Sequence, residues 1–353
     1  MTQMKKYLSF IFILLFAFAD YTFAIDFNDI TINEKLFQEL KTKAKSENKL
    51  IFIYFSSSFC GPCKKMEKYI LPNDSINTFY EDKFILAKVH VNLKNIKKCK
   101  VLKDYEINSF PHFLILNFNG KIIHKAIGYH DIDSFIELGN QALSENDNFM
   151  SWKKRIRNGE LDYGLITNYL RSINPHSLEA KEILKGYYNT QPSDLLSSSQ
   201  NWELTCNYIT DQHSIPFCHL INNINLYKKK HGEFDVNTKL FDVYFDSIGG
   251  LYDLNPIDQK IQDNINNSDI EMAKVALTFK SLLLTIFSEN PDLGKFVREA
   301  DCLVSKYYKY LNSGTIQIWT EKITEYAEKN NDKKALELAQ KWTSIIRQNK
   351  DSI

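Results

Sequence analysis

Leu50-Ile51-Phe52-Ile53-Tyr54-Phe55, then Cys60-Gly61-Pro62-Cys63, then Lys64-Lys65-Met66-Glu67-Lys68-Tyr69-Ile70 is the stretch on which the reading of this chain turns. An apolar run of strand length, a tight turn with two cysteines and a helix-like segment follow one another without a gap. That order places Cys60 at a helix N-terminus, where unpaired N–H groups and the helix dipole favour a thiolate. Pro62 fits there because the first helical turn has no use for its missing N–H. Cys63, one helical turn on, is close enough to attack a mixed disulfide formed at Cys60. A lone C-x-x-C is also half of a zinc site, but no second such pair follows, and strand and helix flanks suit redox use better.

The next elements agree. Phe84 to Val91 reads as a strand, Phe113 to Phe118 as another, and Asn119-Gly120 as a two-residue hairpin turn leading to a partner strand, Lys121 to Ile127. Ser109-Phe110-Pro111 precedes the hairpin, and its proline is either an edge-strand stop or a cis-proline in a tight bend. From about Thr31 to Leu143 the chain resembles a thioredoxin domain, whose motifs stand here as Cys60-Gly61-Pro62-Cys63, Phe110-Pro111, Gly120 and Gly128. The resemblance implies an α/β thioredoxin fold, a central mixed sheet flanked by helices, with Pro111 cis and facing the cysteines.

Cys63-Lys64-Lys65-Met66-Glu67-Lys68-Tyr69 and Pro72-Asn73-Asp74-Ser75-Ile76 are similar to the secreted thioredoxin-like subgroup, which includes the C-terminal domain of a membrane protein that sends electrons to periplasmic disulfide isomerases. The Gly-Pro between the cysteines is that of ordinary thioredoxins. Two positions depart from thioredoxin: Tyr54 stands where a buried aspartate is usual, and Phe59 where tryptophan precedes the first cysteine. A resolving thiol must lose its proton, and a nearby carboxylate is the usual acceptor. Glu67, four residues after Cys63, shares its helix face and matches an acidic position of the subgroup, which makes it the candidate proton carrier. The plainer reading is a solvated glutamate paired with Lys64 or Lys68. Lys88 matches a thioredoxin lysine near the buried acid, or is a strand-end charge. For a client chain, the resemblance implies a rim of Phe59, Gly61, Pro62, Phe110 and Tyr129, with backbone beside Pro111 pairing in strand fashion.

Lys5 and Lys6 precede an apolar run from Tyr7 to Ala19, and Thr22-Phe23-Ala24 offers small residues for cleavage. This reads as a secretory signal peptide over 1–24, its core short of the ~20 residues that span a bilayer. No later segment is apolar enough to cross a membrane, so the expectation is a soluble protein exported to an oxidising compartment, the bacterial periplasm. Without the leader, 44 basic and 43 acidic residues become 42 of each. No basic tract argues for nucleic acid. The remaining chain, about 330 residues, exceeds one such domain. The polar stretch Ser144-Glu145-Asn146-Asp147-Asn148 follows a predicted helix, Ile132 to Leu143, and sets the boundary: 25–147 and 148–353.

Beyond it, apolar residues recur at helical spacing: Ala335, Ala339, Trp342 and Ile346 form one stripe, and Leu178, Ile183, Leu184 and Tyr187 another. Ser268-Asp269-Ile270-Glu271 reads as a capping box. The expectation is an all-α domain of stacked helical hairpins; Thr315–Lys329 with Lys333–Gln348 resembles a tetratricopeptide-type hairpin, although the repeat motif itself is not present in full. Cys206 and Cys218 are expected to pair as a structural disulfide worth on the order of 3 kcal/mol. A zinc set of Cys206, His213, Cys218 and His219 matches no strong pattern. Cys302 stands alone. Cys99 is read as a buried small apolar residue in preference to a third redox thiol.

These observations lead to an expected protein-disulfide exchange through the Cys60–Cys63 dithiol, with no metal and no cofactor beyond that pair. Gly-Pro between the cysteines is associated with reducing thioredoxins, near about −270 mV, which favours reduction. The expected partners are client proteins with disulfides or thiols, a membrane or periplasmic electron donor or acceptor, and a protein bound by the helical domain. A disulfide isomerase or oxidase, or an interaction protein in which the dithiol is only a switch, stays open.

Overall fold

In a computed structural model, the structure describes residues 25–27, 34–92, 94, 96–97, 99–289 and 291–350. The expected signal peptide, 1–24, lies outside the described residues. Five strands form one mixed sheet in the order β1-β3-β2-β4-β5: β1 (Ile25–Phe27), β2 (Leu50–Ser57), β3 (Phe84–Val91), β4 (His112–Leu116) and β5 (Ile122–Ile127). β2 runs parallel to β3 and antiparallel to β4, with Tyr54 opposite both Lys88 and Phe113. β2 is central and buried on both faces after Leu50, which is why it is an unbroken apolar run rather than an alternating one.

Residues alternate between the two faces of the sheet. Ile51, Ile53, Phe55, Ile85, Val89, Leu114 and Leu116 pack on one side with Leu40 and Ala44 of α1 (Glu34–Glu47) and Leu102 of α4 (Lys100–Asp104). Phe52, Tyr54, Phe113 and Ile115 pack on the other. There they meet α2 (Gly61–Lys65) with its π-helical continuation Met66–Ile70, α3 (Asp74–Lys83) and α5 (Ile132–Leu143). Phe135 of α5 is the hub of that face, its ring 5.9 Å from Phe52, 4.7 Å from Tyr80 and 5.1 Å from Phe113.

The β4–β5 hairpin differs from the two-residue turn expected at Asn119-Gly120. Asn117 N–H donates to Lys121 O at 3.0 Å, which leaves a three-residue loop, 118–120. The Asn117 carboxamide accepts from the N–H groups of Asn119 and Lys121, both at 3.0 Å, and Gly120 adopts φ +79°. The asparagine satisfies the turn's own donors and glycine supplies the left-handed residue, which lengthens the loop by one.

Two compact packing units meet between Tyr187 and Tyr188, inside α8 (Leu178–Thr190), so the first unit takes in helices beyond residue 147. Contacts from β5 join the first of these helices to the sheet. His124 Nδ1 accepts the backbone N–H of Phe149 at 3.0 Å and its ring meets Trp152 edge-on at 5.2 Å, which ties α6 (Phe149–Arg157) to the strand. Phe149 in turn stacks on Tyr169 of α7 (Tyr163–Leu170) at 5.0 Å, and the Tyr169 hydroxyl donates to Glu179 of α8 at 2.7 Å. In α8 the buried stripe is Ala180, Leu184 and Tyr187; Leu178, expected in it, is 74% exposed.

The second unit is helical throughout its described elements: α9 (Ser199–Tyr208), α10 (Ile215–Asn222), α11 (Ile224–His231), α12 (Glu233–Ser247), α13 (Gln259–Asn266), α14 (Glu271–Ile286), α15 (Leu293–Tyr307), α16 (Ser313–Asn330) and α17 (Lys333–Lys350). The predicted α16–α17 hairpin is present, closed by Asn331 at φ +52° and capped by Asp332, and the stripe Ala335, Ala339, Trp342, Ile346 is buried. The expected capping box at Ser268 does not form. Ser268 Oγ accepts from Ile270 N–H instead, and Glu271 is taken by Lys306 and Tyr307. The expected Cys206–Cys218 disulfide is also absent: both thiols are free and exposed, with Cys218 Sγ 3.7 Å from Gln212 O. No group of His, Cys, Asp and Glu among the described residues could hold a metal ion, and no described helix is long and apolar enough to cross a membrane.

Phe135→Ala removes the hub ring and is expected to cost about 3–5 kcal/mol in denaturant unfolding, against less than about 0.5 kcal/mol for exposed Glu137→Ala. His112 supplies a pH test. It is 2% exposed, neither ring nitrogen has a partner, and burial, with the Lys125 charge adding, holds its pKa down to about 3. Above the unfolded value near 6.5 neither state binds the proton; below it the unfolded chain does and the native one does not. Stability is therefore fully present above pH 6.5 and lost progressively down to about 3, by about 1.4 kcal/mol per pH unit at most. His112→Leu should flatten this acid limb of urea midpoints measured from pH 7 to 4.5.

Candidate active site

The site is built where β2 ends. Ser58 N–H donates to Val91 O and Cys60 N–H to Ser57 O, both at 3.2 Å, turning the chain off the sheet. Cys60 stays extended (φ −96°, ψ 106°) as the N-cap of α2, with Gly61 and Pro62 opening the helix. Its sulfur accepts the Cys63 N–H at 3.0 Å, and its carbonyl accepts Lys64 N–H at 3.3 Å. Cys60 and Cys63 are joined as a disulfide, Cα–Cα 5.3 Å. Cys63 is buried at 1% exposure, and Cys60 at 7% is the nearer of the two to solvent.

The Phe110–Pro111 peptide is cis. Pro111 O accepts the Gly128 N–H at 2.9 Å, which locks the start of β4 to the end of β5 and leaves Tyr129 just beyond, 48% exposed. Gly128 turns there at φ +95°, a conformation that disfavours a side chain. Phe59 is 54% exposed, with its ring edge-on to Phe110 at 6.3 Å. Gly61 and Pro62 are exposed on the same turn. Sheet topology thus gathers the rim residues Phe59, Gly61, Pro62, Phe110 and Tyr129 at the end of the sheet that carries the disulfide, around buried Pro111.

Behind Cys63 lie three polar groups on the α2 face of the sheet. The Tyr54 hydroxyl sits 3.4 Å from Cys63 O and 3.5 Å from Glu67 Oε1, within reach to donate to either. Glu67 Oε1 is 2.9 Å from Lys88 Nζ. Glu67 therefore pairs neither with Lys64 nor with Lys68 but with the strand lysine, and Lys88 is more than a strand-end charge. Burial, and next the charge of Glu67, pushes the Tyr54 hydroxyl well above the usual tyrosine range, so it stays a neutral donor. The three residues line a cavity of about 420 Å³ whose walls include Phe52, Leu71 and Tyr80.

The resemblance singled out Tyr54 and Lys88, but not that Glu67 pairs with Lys88 beside the Tyr54 hydroxyl; that follows from strand register, which sets Tyr54 opposite Lys88 across the parallel β2–β3 pair. Elsewhere, Cys99 is a buried free thiol at 1% exposure, pushed up by that burial, in the core on the α1 face.

Residues 37–143 match the thioredoxin-like domain family. A protein disulfide-isomerase of Datisca glomerata is 31% identical over 143 residues, covering 38% of this chain and 27% of that protein. A tetratricopeptide-repeat-containing thioredoxin of Arabidopsis thaliana is 30% identical over 100 residues, covering 28% of this chain and 24% of that protein. This chain thus spans about a quarter of the length of those two relatives. Among solved structures, the C-terminal domain of Neisseria meningitidis DsbD in the oxidised form aligns at 21% identity and a TM-score of 0.28, covering 30% of this chain and 92% of that one. With the match at 37–143, the five-stranded mixed sheet, the cysteine pair at a helix N-cap and the cis-proline, the first part of this chain is a thioredoxin-like domain, followed by an all-α segment.

Proposed function

We propose that the protein is an exported thiol-disulfide oxidoreductase that reduces disulfides in client proteins through Cys60 and Cys63. The carrying observation is the sulfur of Cys60 at the N-cap of α2, accepting the Cys63 N–H at 3.0 Å within a Cys60–Cys63 disulfide. A donor aimed at that sulfur favours its anionic form once the pair is reduced.

The reduced dithiol acts in two steps. The Cys60 thiolate attacks one sulfur of the client disulfide; a Cys60–client bond forms, the client S–S bond breaks, and the departing client sulfur takes a proton. Cys63 then loses its proton and attacks Cys60. The second client thiol leaves, and the pair ends as a disulfide, two electrons poorer. Glu67 is the proposed acceptor of the Cys63 proton: Lys88 holds its carboxylate, and the Tyr54 hydroxyl lies between it and the Cys63 backbone. Pro111 and the rim of Phe59, Gly61, Pro62, Phe110 and Tyr129 would hold the client chain in strand fashion.

Export rests on the basic and apolar leader in residues 1–24. Reduction in an oxidising compartment requires an outside electron donor, membrane or periplasmic, to restore the dithiol. The helical segment is the proposed platform for a protein partner.

Insulin disulfide reduction, with a chemical dithiol to regenerate the protein, tests this. Cys60→Ser should abolish turnover. Glu67→Gln should slow resolution of the mixed disulfide by about 10–100-fold at pH 6, a deficit that shrinks as rising pH lets solvent take the proton. An unchanged rate and pH profile in Glu67→Gln removes the glutamate from the mechanism; reshuffling of scrambled disulfides without net insulin reduction replaces the reductase with an isomerase.

A further inference from the structure

The chain as a whole is close to neutral, with 44 basic and 43 acidic residues, but the surface around the disulfide is not. Lys64 follows Cys63 directly, and Lys65 and Lys68 follow on α2 and its π-helical continuation; all three are exposed. None has a carboxylate partner among the ion pairs of the described residues. The acidic residue in their midst, Glu67, is held instead by Lys88, so its charge does not offset theirs. The end of β3 lies beside the end of β2, Val91 opposite Ser57, so the segment after it adds exposed Lys94 and Lys97 at the same end of the sheet. Asp74, Asp131 and Asp133 are also exposed, but none of them is on α2 or its π-helical continuation, and Asp131 caps α5 through Ser134 N–H at 2.9 Å.

Apolar surface accompanies the lysines. Tyr69 is 59% exposed with Lys68 Nζ 4.8 Å over its ring, and Phe59 is 54% exposed on the other side of the cysteines. An approaching disulfide must come within bonding distance of Cys60, one helical turn before Lys64 and about two turns before Lys68, so it enters the field of these lysines, which at ordinary salt reaches about 8–10 Å. Such a field attracts negative charge and speeds its encounter by about 10-fold or more.

We propose that the protein's disulfide-bearing partner is acidic beside its reactive cysteine, and that Lys64, Lys65 and Lys68 select it. This rests on the oxidoreductase reading and adds to it the chemistry of the partner. The exchange itself is unchanged: the partner's S–S bond is reduced by two electrons and the Cys60–Cys63 dithiol is oxidised by the same two. The lysines act on encounter alone.

The test uses the full-length reduced protein and three disulfides: a cyclic peptide with glutamates flanking its cysteines, the same peptide with lysines in their place, and uncharged bis(2-hydroxyethyl) disulfide. Stopped-flow rates at low salt should favour the acidic peptide over the basic one by about tenfold or more, and the ratio should fall towards one as added salt shortens the screening length. In the Lys64→Glu/Lys65→Glu/Lys68→Glu variant the order should invert. Comparing two peptides within one protein cancels any change in the thiols, and the uncharged disulfide reports that change separately. Equal rates for the two peptides at low salt, or a preference that survives in the variant, overturns the proposal. If the reduced protein leaves the uncharged disulfide untouched, the dithiol reading falls and takes the proposal with it.

Discussion

Everything at the site depends on where one strand stops and one helix starts. β2 is pinned between β3 and β4, so its last residue, Ser57, has a fixed place at the sheet's end. Two backbone hydrogen bonds then turn the chain, and Cys60 becomes the first residue that the helix cannot satisfy from within. Its sulfur takes the role that Ser, Asp or Asn plays at most helix starts, accepting a first-turn N–H. The capping bond and the proposed reactive position are thus one feature.

The Tyr54–Glu67–Lys88 arrangement follows from the same frame. The acid is brought from the helix side, partly buried, and paired at 2.9 Å with a strand lysine, which offsets the cost of taking it part-way out of water. Tyr54 fills the space beneath the cysteines with a ring stacked on Phe113 at 5.3 Å, and leaves one neutral hydroxyl pointing at both Cys63 O and Glu67. The pair is about one-third exposed and lines a cavity, so the Glu67 carboxylate stays open to solvent. The outer surface is organised differently: among the described residues Lys64, Lys65 and Lys68, beside the cysteines, form no such ion pair, which is the basis of the proposed preference for an acidic partner.

The redox domain was readable because its signals are local. The apolar run of β2, the Cys-Gly-Pro-Cys turn, the predicted limits of α5 and the strand Phe84–Val91 all recur in the structure. What could not be read depends on distant residues. Glu67 chose Lys88 over its helix neighbours because parallel pairing sets Lys88 against Tyr54. His124 on β5 receives Phe149 N–H and ties α6 to the sheet, a contact no periodicity announces. Leu178 fits a helical stripe by spacing yet faces solvent, since Ala180, Leu184 and Tyr187 define the packed face. Cys206 and Cys218 are near in sequence, but each is placed by its own helix, and proximity along the chain did not become a bond.

The most direct measurement is the rate of alkylation of Cys60 in the reduced protein as a function of pH, followed residue by residue by mass spectrometry, with Cys63 as the internal comparison. The account predicts that Cys60 reacts first and that its ionisation midpoint lies clearly below the value of about 8.5 for free cysteine. A midpoint at or above that value would mean that the helix start does not activate the sulfur it holds, and the cap would be structural only.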